Sequence, residues 1–273
     1  MTDASPIRVA VLGAGGLGKA AARIMSLKRE VSLQAICDSR GVVSSAAGLP
    51  GELIAGVSGD LVEGCRHLQE AGEEDAGGVA VLTAVEARHC DDPIGEILAM
   101  APALDGVLVA LPNLPNAFIP GVIERFAEAD VPLVFVDVLK RTRAVEQLFA
   151  LDPLVKRARS VVMTGCGATP GILAAAAVLA AQSFIEVERV DIWWGVGIAN
   201  WDAYKATIRE DIAHLPGYTV EAAKAMTDAE VDTLLSRTNG LLELHHMEHA
   251  DDLLLERVGV VERREQVEVG GVM

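Results

Sequence analysis

With 273 residues, the chain can form one large domain or two modest ones around a substantial buried core. Its apolar content of 51% argues against disorder, and its abundant glycine and alanine suit close-packed α/β layers. A formal charge of −16 disfavours nucleic acid and anionic membrane as partners, since both reward lysine and arginine, and leaves anionic small molecules open wherever local donors hold them.

Residues 7–38 read as an apolar strand, a tight glycine turn, a helix start, a second apolar strand and an acid at its end. The turn carries G-x-G-x-x-G at Gly13, Gly15 and Gly18, with Gly16 and Leu17 inside it. In this order the motif has a mechanism. Gly13 permits the sharp strand-to-helix turn, Gly15 lets backbone approach a pyrophosphate, and Gly18 removes a side chain where the helix packs on the sheet. The unpaired N–H groups of the first helical turn and the positive end of its dipole favour phosphate. Asp38, twenty residues beyond Gly18, is spaced to accept from an adenosine ribose hydroxyl. On this reading Gly13, Gly15, Gly16, Leu17, Gly18, Asp38, Ser39 and Arg40 contact a dinucleotide. Asp38 favours NAD, because its carboxylate repels a 2′-phosphate; Arg40 can accept that phosphate, so NADP stays open. A glycine-rich turn in an ordinary α/β protein is the alternative.

Residues 39–80 are rich in Gly, Ser and acids, with helices expected around Gly51–Ala55 and Asp60–Ala71. A short strand over Val79–Val85 and a helix over Pro93–Met100 follow. Gly106–Leu111 is a fully apolar run of strand length, as a parallel strand covered on both faces requires, and it stops at the loop Pro112-Asn113-Leu114-Pro115. Ala117–Ala129 has helical apolar spacing, Pro132–Val138 is the next buried strand, and Thr142 can cap the helix through Val145, Leu148 and Phe149. Ser160–Met163 reads as a strand and Gly171–Phe184 as a helix. Such alternation predicts a doubly wound parallel sheet with its ligands at the strand C-terminal edge.

Past Val187 the rhythm changes. Val187–Ala199, Leu241–His249 and Val258–Val269 alternate like strands with one open face, and Val220–Leu235 between them reads as helical. The expected fold class is therefore α/β: a doubly wound (Rossmann) parallel sheet with a second α+β, largely antiparallel substrate domain. Residues 1–165 form the dinucleotide-binding domain and 166–273 the substrate and dimerisation domain, with the boundary near Gly165–Gly171. So few strands, with the last ending almost at Met273, lead us to expect that this second domain is incomplete; a compact natural form is the alternative.

The stretch Ser160-Val-Val-Met-Thr-Gly165-Cys166-Gly167-Ala168-Thr169-Pro170-Gly171, taken with the glycine fingerprint and Val134-Phe-Val-Asp137, resembles the saccharopine dehydrogenase-like group, which includes saccharopine reductases and carboxynorspermidine dehydrogenases. The resemblance covers most of residues 7–185. In that group a G-x-G-x-x-P-G turn leads into the helix joining the nucleotide and substrate domains. One position departs: the group commonly has Asp before the Pro-Gly, where this chain has Thr169, which leaves the amino-acid or polyamine substrate open. The turn keeps its physics, with Thr169 as N-cap and Pro170 at the first helical position. The resemblance implies an NAD(P)-dependent oxidoreductase that passes hydride to or from an imine or secondary amine of an amino-acid-like substrate. It also places Pro112 and Asn113 near the nicotinamide ribose, although turn chemistry explains both equally.

Asp137 and Gly167 join the cofactor contacts, and Lys140, just past the strand that ends at Asp137, can donate a proton or hold a carboxylate. Lys140-Arg-Thr-Arg143 as a solvated helix start is the other reading. Cys166, in a glycine loop before a helix, has the setting that lowers a thiol pKa, so a Cys166-dependent semialdehyde dehydrogenase is one alternative and a non-catalytic nucleotide sensor another. His245-His246-Met247-Glu248-His249 matches H-x-x-E-H, but the alternation of Leu242, Leu244 and His246 favours a strand over a zinc-binding helix, and no metal is assigned. Instead His246, as a second catalytic candidate, or His249, with Glu243 or Glu248, faces the substrate; a polar edge face is the alternative. Trp193, Trp194, Trp201 and Tyr204 cluster as a cleft wall, a dimer contact or ordinary core. The four cysteines lack C-x-x-C or zinc spacing, the start lacks a signal peptide, and the Ala-rich run Gly171–Ala181 is too short to span a bilayer. A cytoplasmic homodimer acting on a small molecule is expected.

Overall fold

The computed structural model describes residues 5–74, 84–112, 115–195, 197, 208–213, 215 and 217–272. The chain divides into two compact units: Met1–Leu139 with Arg143–Cys166, and Lys140–Thr142 with Gly167–Met273.

The first unit is an α/β sandwich. Its strands are β1 (Ile7–Leu12), β2 (Val31–Cys37), β3 (Gly41–Ser44), β4 (Glu86–His89), β5 (Gly106–Val109), β6 (Val134–Asp137) and β7 (Val161–Met163). They form one seven-stranded sheet in the order β4-β3-β2-β1-β5-β6-β7. The pairs from β2 through β1, β5 and β6 to β7 are parallel, and β3 and β4 add antiparallel strands at one edge. This is the doubly wound α/β fold read from the sequence. Crossover helices α1 (Gly16–Ser26), α4 (Pro93–Met100), α5 (Phe118–Glu128) and α6 (Thr142–Ala150) appear where apolar spacing put them, as do α2 (Gly51–Gly56) and α3 (Leu61–Glu74). The sheet is apolar on both faces because helices cover both. Val11, Leu33, Ile36, Val43 and Ile54 pack on one side, while Phe126 and Phe135 meet edge to face at 5.5 Å, both fully buried.

Several local readings are corrected. The strand expected over Val79–Val85 falls largely outside the described residues, and the pairing strand is β4, further on. The β2–β3 hairpin was hidden in a stretch that reads as loop, although Val42 and Val43 are buried. Thr142 is the first residue of α6 and donates its hydroxyl to Asp252 Oδ1 at 3.1 Å instead of capping. A short helix, α7 (Asp152–Arg157), precedes β7.

The second unit holds α8 (Ile172–Ala181), β8 (Val190–Gly195), α9 (Ile208–Ile212), α10 (Val220–Ala225), α11 (Asp228–Arg237), β9 (Glu243–Leu244), α12 (Asp251–Arg257) and β10 (Val267–Val272). Its sheet runs β8-β10-β9, with β10 parallel to β8 and antiparallel to β9, so it is mixed rather than largely antiparallel. The Gly270-Gly271 pair in β10 has a packing cause. It stands in register with Trp193 and Trp194, and a Cβ at Gly271 would lie 2.7 Å from the Trp194 indole. The expected strand Leu241–His249 shrinks to two residues because His246 takes a left-handed backbone (φ 48°). Val220–Leu235 is two helices, the second opened by a capping box between Thr227 and Glu230. The N-cap of α8 is Gly171, so Thr169 and Pro170 lie before the helix, and neither caps nor begins it.

Candidate functional site

In the first unit the glycine turn is built as the sequence requires. Gly13 has φ +103°, and a Cβ there would sit 2.3 Å from the Ala110 carbonyl oxygen; one at Gly18 would sit 1.8 Å from the Gly13 oxygen. Space over Gly15 and Gly16 is open, and Leu17 is exposed. The acid at the end of β2 has a local purpose. Asp38 Oδ1 accepts from the backbone N–H groups of Arg40 (2.8 Å) and Gly41 (3.0 Å), which pins the turn into β3. The Arg40 guanidinium pairs with Asp60 at 3.1 Å, and Ser39 is exposed. The turn into β3 thus engages Asp38 Oδ1, and the start of α3 engages Arg40. Pro112 is exposed after β5, and Asn113 lies outside the described residues.

Asp137, at the end of β6, is fully buried. Its Oδ1 accepts from Leu139 N–H and Thr164 Oγ1, both at 2.9 Å, while Oδ2 has no partner among the described residues. Burial pushes this carboxyl above its ordinary range, against the pull of those donors and of the Gly165 N–H. Cys166 hangs on the same turn, its N–H donating to the Asp137 carbonyl and its Sγ to the Met163 carbonyl. Partial burial of the sulfur, and then the Asp137 charge, push the Cys166 thiol up. Burial thus opposes the lowered thiol pKa that the glycine-loop setting suggested. Gly167 closes a tight turn, its N–H donating to the Pro170 carbonyl at 3.0 Å.

The second unit gathers the most organised polar cluster. Residues 140–142 lie along residues 248–252 with a regular stitch. Ala250 N–H donates to the Lys140 carbonyl (2.7 Å), Arg141 pairs with Glu248 (2.7 Å), and Thr142 bonds Asp252. The alternate residues, His249 and Asp251, turn to another set of partners. Asp251 Oδ2 lies 2.8 Å from His249 Nδ1 and 2.6 Å from the Thr169 hydroxyl, which donates to it. His249 is 3% exposed and Asp251 is 0% exposed, and Trp194 packs on the imidazole with ring centroids 5.7 Å apart. Lys140, half-buried, has its backbone fixed but no partner for its ammonium among the described residues. The Lys140 segment and His249 are thereby brought together, while His246 is not part of this cluster. His246 is 82% exposed beside Glu268 at 3.8 Å, next to His245, which Trp193 meets edge to face at 4.8 Å. Trp201 and Tyr204 lie outside the described residues. Among the described residues, no group of three or more His, Cys, Asp or Glu is placed to hold a metal ion. Sequence reasoning missed Asp251, whose carboxylate meets both His249 and Thr169; the signal available was His-x-Asp at the start of a short helix.

The first unit is thus of the doubly wound α/β class, and the second holds a buried His–Asp pair. The chain is 40% identical over 278 residues to the (S)-8-amino-7-oxononanoate synthase BioU of Haloferax mediterranei, a match covering 98% of this chain and 78% of that protein. It therefore belongs to the BioU family of (S)-8-amino-7-oxononanoate synthases. No family model matches the chain. Among solved structures, oxidoreductases of Bacillus subtilis (YvaA), Sinorhizobium meliloti and Pseudomonas syringae are similar at 11%, 13% and 19% identity, with TM-scores of 0.42, 0.40 and 0.37. The matches cover 100%, 74% and 71% of this chain and 65%, 48% and 46% of theirs, and likenesses this low carry no functional argument.

Membership in this synthase family replaces the expected membership in the saccharopine dehydrogenase-like group. The expected reaction class, hydride transfer at an imine, falls with it, as do the assignment of NAD or NADP and the semialdehyde dehydrogenase and nucleotide-sensor alternatives. In the glycine turn, close packing accounts for Gly13 and Gly18, and Asp38 pins the turn into β3. Among the described residues, no helix is long and apolar enough to cross a membrane.

Proposed function

We propose that this chain is a synthase that forms (S)-8-amino-7-oxononanoate, an α-amino ketone on an aliphatic chain ending in a carboxylate. The observation that carries the reading is 40% identity over 98% of the chain to a protein of that name. Lys140 supplies the catalytic amine, its ammonium donating a proton at the reacting carbonyl oxygen. Its fixed backbone, its half-burial and an ammonium without a partner among the described residues support this role, because no acceptor there competes for its N–H groups. Of the two catalytic candidates read from the sequence, Lys140 carries the proposal; His246, exposed and set in left-handed backbone, does not. A cytoplasmic location is part of the proposal, supported by four free cysteines. So is a homodimer, supported by Leu179, Phe184 and Ile185, which stand exposed on and after α8; light scattering checks it.

The test is growth of a bacterial host lacking its own 8-amino-7-oxononanoate synthase, with the compound measured by mass spectrometry. The chain should restore both, and Lys140→Gln, folded by circular dichroism, should restore neither. Failure of the wild-type chain overturns the synthase reading, and product from Lys140→Gln at the wild-type level overturns the role of Lys140.

A further inference from the structure

Helix α8 reads Ile-Leu-Ala-Ala-Ala-Ala-Val-Leu-Ala-Ala, without one polar side chain. A helix apolar all round belongs inside a core, because no face of it gains from contact with water. Here only one side is covered. Leu173, Ala174, Ala177 and Val178 pack on Ile192, Leu255 and Val269, while Ile172 and Leu179 stay 70% and 73% exposed. Phe184 and Ile185, just past the helix, are exposed as well.

The open side borders a groove of about 430 Å³, whose shape limits what fits it. One wall includes Leu173, Ala176, Ala180 and Phe184; the other is a run of consecutive residues, Arg189 to Trp193. Side chains of a strand alternate between its two faces, so a groove that meets every residue in turn runs along the strand's edge. That edge is open. β10 pairs with one side of β8, and among the described residues no strand takes the other. An open edge beside an apolar wall accepts one more strand, whose backbone extends the ladder and whose side chains meet α8.

A second copy of β8 is a strand whose charges match. Two copies related by a two-fold axis run antiparallel, and centring them on Val190 sets Arg189 opposite the partner's Asp191 and Val187 opposite the partner's Trp193. Centring them on Asp191 instead would set like charges against each other. Arg189 has donors to spare: its Nε pairs with its own Asp191 at 2.6 Å and its Nη2 with Glu268, which leaves N–H groups for a further carboxylate. Net charge points the same way. Copies that each carry −16 repel, and α8 offers them a contact face with no ionisable group on it. The exposed apolar side chains at 172, 179, 184, 185 and 193 present on the order of several hundred Å², the scale of the roughly 800 Å² that each partner buries in a stable pair.

We propose that two copies of this chain join edge to edge through β8 into one continuous sheet, with the two α8 helices side by side on one face of it. This rests on the homodimer reading and supplies its contact face. Light scattering on the whole chain should give twice the chain mass. Ala176→Glu, folded by circular dichroism, should raise the dissociation constant about 100-fold or more, since it puts a carboxylate into the closed groove. Charge reversal reads the register. Arg189→Asp sets acid against acid across the axis and Asp191→Arg sets base against base, so each variant alone should be monomeric. Mixed in equal amounts, the two should form a heterodimer, because both cross-strand pairs are then opposite in charge. An ion pair within one chain cannot produce that recovery. A wild-type chain that stays monomeric overturns the homodimer and this inference together. A wild-type dimer that Ala176→Glu and the single reversals leave intact, or a mixture that stays monomeric, overturns the β8 contact alone. The synthase reading is scored separately, by product from the wild-type chain.

Discussion

Replacing Thr169 by valine isolates one hydrogen bond at the centre of the buried cluster. The hydroxyl donates to Asp251 Oδ2 at 2.6 Å, and the other side-chain donor to that carboxylate is His249. Valine has nearly the shape of threonine, so no cavity opens, and the change is dominated by loss of a donor to a charged acceptor, worth about 1.5–3 kcal/mol. The opposing gain from burying one extra methyl is smaller, about 0.8 kcal/mol at most for a half-buried position. The net expectation is a loss of about 1–2 kcal/mol, or about 0.5–1 M in urea midpoint at a slope of about 2 kcal/mol/M. Tryptophan fluorescence is the right assay because all three tryptophans, at 193, 194 and 201, belong to the second unit, so emission follows that unit alone. Thr169→Ser keeps the hydroxyl and should keep most of the stability. A valine variant within about 0.3 kcal/mol of wild type, or a serine variant as weak as valine, would refute the claim that this bond holds Asp251.

Gly18→Ala sets helix propensity, which favours alanine by about 1 kcal/mol, against a Cβ placed 1.8 Å from a backbone oxygen. The clash should win, with thermal denaturation showing net destabilisation of about 1–3 kcal/mol; stabilisation would mean that the turn has slack. Asp137 supplies a pH test. Burial raises its carboxyl in the folded chain, so the folded form holds a proton that the unfolded form has released. Its contribution is fully present below the unfolded value near 3.8 and is lost as pH rises through the folded value. Asp137→Asn removes that loss, so the variant should gain on wild type as pH rises above about 4 in denaturant titrations. A difference that stays flat or runs the other way contradicts the assignment.

The first unit was legible where one local rule decides the structure. Glycines at 13 and 18 are forced by a backbone oxygen within reach of any Cβ, and the apolar run from Gly106 can only be a strand covered twice. The hairpin of β2 and β3 was not legible, since Gly41-Val-Val-Ser44 is too short to show a period and its turn depends on Asp38 capping two backbone N–H groups. In the second unit, alternation over Leu241–His249 suggested a strand that one left-handed residue, His246, cuts short. The run from Val258 misled for a related reason: Gly259, at φ +75°, turns the chain, and β10 begins only at Val267.

The chemistry was misread because the most conspicuous motif is one that the fold itself can demand. A glycine turn between a strand and a helix is demanded wherever α1 packs on β1 at this distance, so unrelated chemistries share it. Thr169, read from the sequence as a departure from the expected group, shows what local reading leaves out. There the threonine meets Asp251 in space, 82 residues further along the chain, together with His249. No pattern of local spacing reports a partnership across that separation. The stitch of residues 140–142 along 248–252 likewise joins segments more than a hundred residues apart and sets the Lys140 backbone beside His249, so cutting either side of it should loosen that backbone.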